Sequence, residues 1–250
     1  SASGITYQDG TLVDASLQEK LPPDDLLLAS TANGKTYRFT LPDGTIVRLN
    51  AGSSIKFPSA FTGGQRKVEI SGEAYLEVFK DRNHPFIVVS RDQQLEVLGT
   101  HFNIRSYPEE AGTKTTLLEG SVKLVPLPKS NSNGSVPTSP TIPGTLLKPN
   151  EQSVLKDGKI NVHPANTHME TAWIKNDFYF RGESLESVLR DVARWYDVKI
   201  SYTSDEIKSI PLIGQISRAR PLSAVLERIA SAGGTKFKIE GKLVTVMPQN

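Results

Sequence analysis

Two pairs of residues have the spacing of a serine nucleophile and a lysine base, Ser53 with Lys56 and Ser153 with Lys156. A Ser-x-x-Lys pair works when one helical turn stacks the hydroxyl under the amine. Both pairs lie in strand-like surroundings, where positions three apart point to opposite faces, so the spacing is accidental. Glu73 and Glu77 are evenly spaced and share one face of a strand, as a glycosidase needs for two carboxylates held roughly 5–10 Å apart. A solvated strand face accounts for them equally well, and an aromatic content of 7% is thin for a sugar cleft built on stacking. His163 and His168 are separated by Pro164, which breaks any helix that would aim both at one metal. No glycine-rich phosphate loop of either common spacing occurs. The chain has no cysteine, which removes thiolate metal sites and disulfides. No cofactor and no metal is expected, and no ordinary enzyme.

The remaining chemistry is that of surfaces. The 29 basic and 27 acidic residues are interspersed and leave a formal charge of +2, without the basic stripe that a nucleic acid would require. No apolar run approaches the roughly 20 residues of a membrane helix. The opening Ser1-Ala2-Ser3-Gly4 has neither an initiator Met nor a signal peptide and reads as the start of a piece cut from a longer protein.

The elements that position these residues change character twice. Residues 1–34 are weakly patterned and broken at Pro22-Pro23, an irregular lead-in. From Lys35 the period is two: Tyr37, Phe39 and Leu41 share a face, Pro42-Asp43-Gly44 makes a turn, and Val47 and Leu49 resume. Turn signals then recur every 8–12 residues or so, predicting an all-β sandwich or roll over 35–162. It is interrupted by a Pro/Ser-rich loop at 126–144 with five prolines. Residues 163–172 form a linker. From Trp173 to the end the chain predicts a small β-α-β-β-α-β module, residues 173–250. Leu185, Val188, Leu189, Val192, Ala193 and Tyr196 line one helical face behind the N-cap Ser184. The same offsets return 37 residues later at Leu222, Val225, Leu226, Ile229 and Ala230, between Pro221 and Gly233-Gly234. The fold class is therefore mainly β followed by α+β, with both helices of the module on one sheet face.

Several strings stand in one order: Leu41-Pro42-Asp43-Gly44-Thr45, Leu49-Asn50-Ala51-Gly52-Ser53-Ser54, Val68 to Val78 with Gly72-Glu73-Ala74, Pro85 to Val88, and Val97 to Ile104 with Gly99-Thr100. Their order and spacing resemble the FecR family. Leu117 to Val122 and Trp173 to Ile200 resemble its Bacteroidota branch, which carries its own C-terminal module of the secretin and TonB short N-terminal type.

The resemblance implies a transmembrane anti-sigma regulator anchored in the inner membrane, of which this chain is the periplasmic part. An extracytoplasmic-function sigma factor would be held by a cytoplasmic segment absent here. The signalling domain of a TonB-dependent outer-membrane transporter would dock on the C-terminal module, with a glycan as the stimulus by analogy. Some FecR-like regulators are thought to split their own chain at a Gly-Thr bond. Gly99 and Thr100 stand where that motif falls, the Thr hydroxyl being the nucleophile for the preceding carbonyl; a β-bulge is the plainer role.

Residue patterning adds candidates for docking. The strand from Lys242 to Met247, with Leu243, Val244, Thr245 and Val246, is expected at a sheet edge, where unpaired amides and carbonyls accept a partner strand. Phe178, Tyr179 and Phe180 are consecutive, so at least one leaves the core of a one-sided sheet. Gly72 is expected in a turn at a strand start, with Glu73 bonding neighbouring backbone. The alternative from another class is a carbohydrate-binding or envelope-structural β protein.

Overall fold

The computed structural model describes residues 25–128 and 144–249. The first 24 residues of the lead-in and the heart of the Pro/Ser-rich loop, 129–143, lie outside the described residues. The chain divides into two units, residues 1–32 with 36–167, and residues 33–35 with 168–250.

Among the described residues, the first unit has thirteen strands: β1 Leu26–Ser30, β2 Tyr37–Thr40, β3 Ile46–Leu49, β4 Ser54–Pro58, β5 Arg66–Glu77, β6 Phe86–Val89, β7 Gln93–Val97, β8 His101–Ser106, β9 Gly112–Glu119, β10 Val122–Pro126, β11 Thr145–Leu147, β12 Glu151–Lys156 and β13 Lys159–Pro164. They form two ladders that share β5. One runs β1-β4-β5-β6-β7-β10-β11 and the other β2-β3-β5-β8-β9-β12-β13. The first part of β5 pairs with β4 and β6, the last part with β3 and β8. One apolar cluster draws Phe57, Val68, Phe86 and Leu95 from the first ladder and Leu49, Leu76, Phe102 and Leu117 from the second. Burying aromatic and aliphatic side chains of this size contributes about 1.5–3 kcal/mol each.

The Pro42-Asp43-Gly44 turn forms as its residues demand. Gly44 sits at φ 89° and its N–H donates to the Leu41 carbonyl at 2.9 Å, while Asp43 Oδ1 accepts from the Thr45 amide at 3.0 Å. The irregular lead-in is corrected from residue 26 onward. Leu26 to Ser30 pair with β4, burying Leu27 and Ala29. Leu26-Leu27-Leu28-Ala29 is apolar on both faces, so the strand shows no alternation to read.

The chain enters the second unit through a short helix α1 Thr167–Glu170, followed by a 3₁₀ turn at Ala172–Lys175, β14 Asp177–Ser184, helix α2 Leu185–Tyr196, β15 Lys199–Tyr202, a 3₁₀ turn at Glu206–Ser209, β16 Pro211–Ser217, helix α3 Leu222–Gly233, β17 Thr235–Glu240 and β18 Leu243–Pro248. Ser184 caps α2 as its position suggests, its hydroxyl accepting from the Ser187 amide at 3.3 Å. Asp197 in the left-handed conformation ends α2, and Gly234 ends α3. Leu185, Val188, Leu189 and Val192 of α2 and Val225, Leu226 and Ile229 of α3 are buried in one cluster. The single sheet expected under the helices is two: an antiparallel ribbon β14-β16 and a three-stranded sheet β15-β18-β17.

Candidate functional site

Three of the strings, Leu49 to Ser54, Val68 to Val78 and Val97 to Ile104, are brought together along β5. Gly72 is no turn at a strand start. It lies inside β5, at φ 90°, where the strand leaves one ladder for the other. A Cβ there would come within 2.7 Å of Ser53 Cα and 2.5 Å of its Oγ, so glycine answers both the backbone sign and a close approach.

Glu73, 4% exposed, lies on the face of β5 opposite Ala74 and Leu76, and its partners are chiefly side chains. Asn50 Nδ2 donates to its Oε2 at 2.7 Å and Asn103 Nδ2 to its Oε1 at 3.0 Å. An Arg105 guanidinium nitrogen stands 3.5 Å from Oε2. The Glu73 amide donates to Ser53 Oγ at 2.8 Å, and the Asn50 amide to the Glu73 carbonyl at 2.9 Å. Around them Tyr107 OH donates to the Ala51 carbonyl at 2.8 Å, and Thr31 Oγ1 to the Asn50 carbonyl at 2.5 Å. A buried carboxylate is tolerated when donors surround it this way. The cluster fastens β5 to the 49–54 turn and to β8. Asn50, Asn103, Arg105 and Tyr107 are the members that sequence reading missed. The one signal was Asn103, an amide placed between the apolar Phe102 and Ile104.

The remaining candidates are scattered. Ser53 is engaged by Glu73 while Lys56 on β4 is exposed, and Ser153 is buried while Lys156 is exposed, so neither pair meets. Glu77 is half-buried at the end of β5, His163 is exposed on β13, and His168 contacts Lys175 at 3.1 Å. Gly99-Thr100 forms the connection from β7 to β8. Gly99 is at φ 144°, and a Cβ on it would press on Lys80 at 2.8 Å. Thr100 is 2% exposed, with its hydroxyl donating to the Ser121 carbonyl at 3.0 Å. The register irregularity expected of a bulge falls one step further on, between His101 and Phe102.

In the second unit the edge reading of residues 242–247 is corrected. β18 is the middle strand, paired with β15 on one side and β17 on the other, so its backbone has no free edge to offer. Val244 and Val246 are fully buried, Thr245 is half-buried, and Leu243 is 41% exposed. Phe178 and Phe180 point into the core, 2% and 4% exposed, and Tyr179 alone takes the outer face of β14. Arg218 packs over the rings of Phe178 and Trp195, 4.7 and 5.1 Å from their centroids. Its carbonyl accepts from Trp195 Nε1 at 3.0 Å.

These two architectures have known counterparts. The family model described as FecR protein matches residues 28–123, and the one described as FecR, C-terminal, matches residues 177–246. No curated protein matches. Two solved structures, both described as a candidate anti-sigma factor from Parabacteroides distasonis, are similar to nearly the whole chain. One is 30% identical over 90% of this chain and 100% of that one, with a TM-score of 0.78. The other is 29% identical over 89% and 99%, with a TM-score of 0.77. No helix among the described residues is long and apolar enough to cross a membrane. One family model on the β unit, its C-terminal companion on the α+β unit and a relative matched along its full length together make this chain a member of the FecR family.

Proposed function

We propose that this chain is the periplasmic part of an anti-sigma regulator. It receives a signal from a TonB-dependent outer-membrane transporter and relays it to an extracytoplasmic-function sigma factor held by a segment outside this chain. The observation that carries the proposal is the pairing of a FecR unit with a FecR C-terminal unit in a chain 30% identical to a candidate anti-sigma factor. Its physical content is transmission by protein contact. The first unit is a tightly fastened β framework. The second is a small α+β unit whose ribbon and sheet end in strands paired on one side only, the form of surface on which another protein lays a strand. A glycan imported by the transporter is the proposed stimulus, sensed by the transporter. Self-cleavage at Gly99-Thr100 would be a single event without turnover: the Thr100 hydroxyl adds to the Gly99 carbonyl carbon, the peptide C–N bond breaks to leave an ester and a freed Thr100 amine, and water hydrolyses the ester to separate the fragments.

The test is calorimetric titration of the whole chain with the signalling domain of the TonB-dependent transporter encoded beside it. Saturable binding supports the regulator. Absence of heat, together with a rise in melting temperature on adding oligosaccharides, would replace it with a carbohydrate-binding β protein.

A further inference from the structure

Among the described residues, the second unit has four strands with a free side, and three of them are protected. β14 carries Asp177 and Arg181 and a register shift between Arg181 and Glu183. β15 is four residues long and begins with Lys199. β17 presents Lys236 and Lys238. Charges, bulges, shortness and proline are among the devices that keep sheet edges from pairing, and of these β16 carries only Pro211, at its first position. β16, Pro-Leu-Ile-Gly-Gln-Ile-Ser, has no charged residue and, among the described residues, pairs with β14 alone.

Its surroundings are shaped for an occupant. Between β16 and α3 lies a groove of about 320 Å³ whose lining includes Leu212, Gly214, Ile216, Ile229 and Ala232. Gly214 belongs to the face that holds Leu212 and Ile216, and a Cβ built on it would meet nothing within 4 Å. It is a notch between two apolar side chains, and its φ lies outside the left-handed region, so the backbone does not require glycine there. Ile213, on the opposite face, is 76% exposed, more than any other large apolar residue described. Arg228 lines the groove and Arg181 stands opposite Ile213 in register. Glu183 is turned to the Arg181 amide, at 2.5 Å.

We propose that the free side of β16 is the docking site for one extended strand of the transporter's signalling domain. The strand adds beside β16 through main-chain bonds, seats an apolar side chain in the notch at Gly214, and turns a carboxylate to Arg228. The identity of the partner rests on the function proposed above; the surface and the strand form of its occupant do not.

Two experiments separate them. The first titrates wild type, Gly214→Leu, Ile213→Glu, Arg228→Glu and the control Ile239→Glu on β17 with the neighbouring transporter's signalling domain. Filling the notch or charging Ile213 is expected to weaken binding about tenfold or more, Arg228→Glu by several-fold, and Ile239→Glu not at all. Binding unchanged in Gly214→Leu and Ile213→Glu, or lost in Ile239→Glu, overturns the surface and leaves the regulator standing. The second experiment uses no natural partner: a capped hexapeptide of alternating Val and Asp is added to ¹⁵N-labelled wild-type and Gly214→Leu chain. Amide shifts concentrated at 212–217 in wild type and absent in the variant support the surface, even where the signalling domain does not bind and the regulator fails. No shifts in that strand overturn it. Sedimentation as a dimer that Gly214→Leu makes monomeric would assign β16 to a second copy of this chain and overturn the partner.

Discussion

Asn103 Nδ2 donates to Glu73 Oε1 at 3.0 Å, joining β8 to β5 through a buried carboxylate. The other carboxylate oxygen is held by Asn50 at 2.7 Å. Glu73→Gln keeps the shape but turns an amide donor on one of these two donors. It is expected to lower stability by about 1–3 kcal/mol, seen as an earlier urea midpoint at unchanged slope. Asn103→Asp, which sets a second carboxylate beside the first, is expected to cost more. Equal stability of wild type and Glu73→Gln would show that the cluster does not hold the corner.

Gly72 and Gly214 are both glycines inside strands, and they should respond oppositely to alanine. At Gly72 a methyl group meets Ser53 at 2.5 Å with φ at 90°, and overpacking alone costs about 1–3 kcal/mol. At Gly214 the methyl group enters open space. Thermal melts are expected to show Gly72→Ala several degrees below Gly214→Ala, which should lie at or above wild type.

The Thr100 hydroxyl already donates its hydrogen bond to the Ser121 carbonyl, a neutral acceptor that takes no proton. The purified chain is therefore expected to keep its full mass during storage at neutral pH. Fragments ending at Gly99 and beginning at Thr100, abolished in Thr100→Ala and retained in Thr100→Ser, would establish self-cleavage.

Arg218 lies against two rings, Phe178 and Trp195. A lysine cannot lay a planar group on both. Arg218→Lys is expected to destabilise the second unit by about 1 kcal/mol, and Arg218→Ala by more. Hydrogen exchange should report this as faster exchange in α2 and β14, with β1 to β13 unchanged.

Asp197 ends α2 and receives bonds from Lys242 and Asn33, which hold its carboxyl below the ordinary carboxylate value. Because the folded value is lowered, the stabilisation is complete above the ordinary value of about 4 and fades as pH falls through the folded one. Carboxyl NMR titration is expected to show Asp197 moving back toward the ordinary value in Lys242→Met. Coincident curves for variant and wild type would remove Lys242 as the cause.

What the sequence by itself determined is local. Alternation at Tyr37, Phe39 and Leu41, the Pro42-Asp43-Gly44 turn, the Ser184 cap and the twice-repeated apolar helix face each describe a segment whose geometry its own residues impose, and each appears in the structure. The order of strands in a sheet is not local. Val244 and Val246 alternate as an edge strand would, yet β18 lies between β15 and β17: its hairpin with β17 is local, but its parallel pairing with β15 joins Lys199 to Leu243 through backbone groups that carry no sequence signal. The same holds for Glu73: its type was legible, but its donors come from positions 50 and 103. Only the passage of β5 from one ladder to the other, at the one residue whose φ and lack of a side chain allow it, brings those donors together.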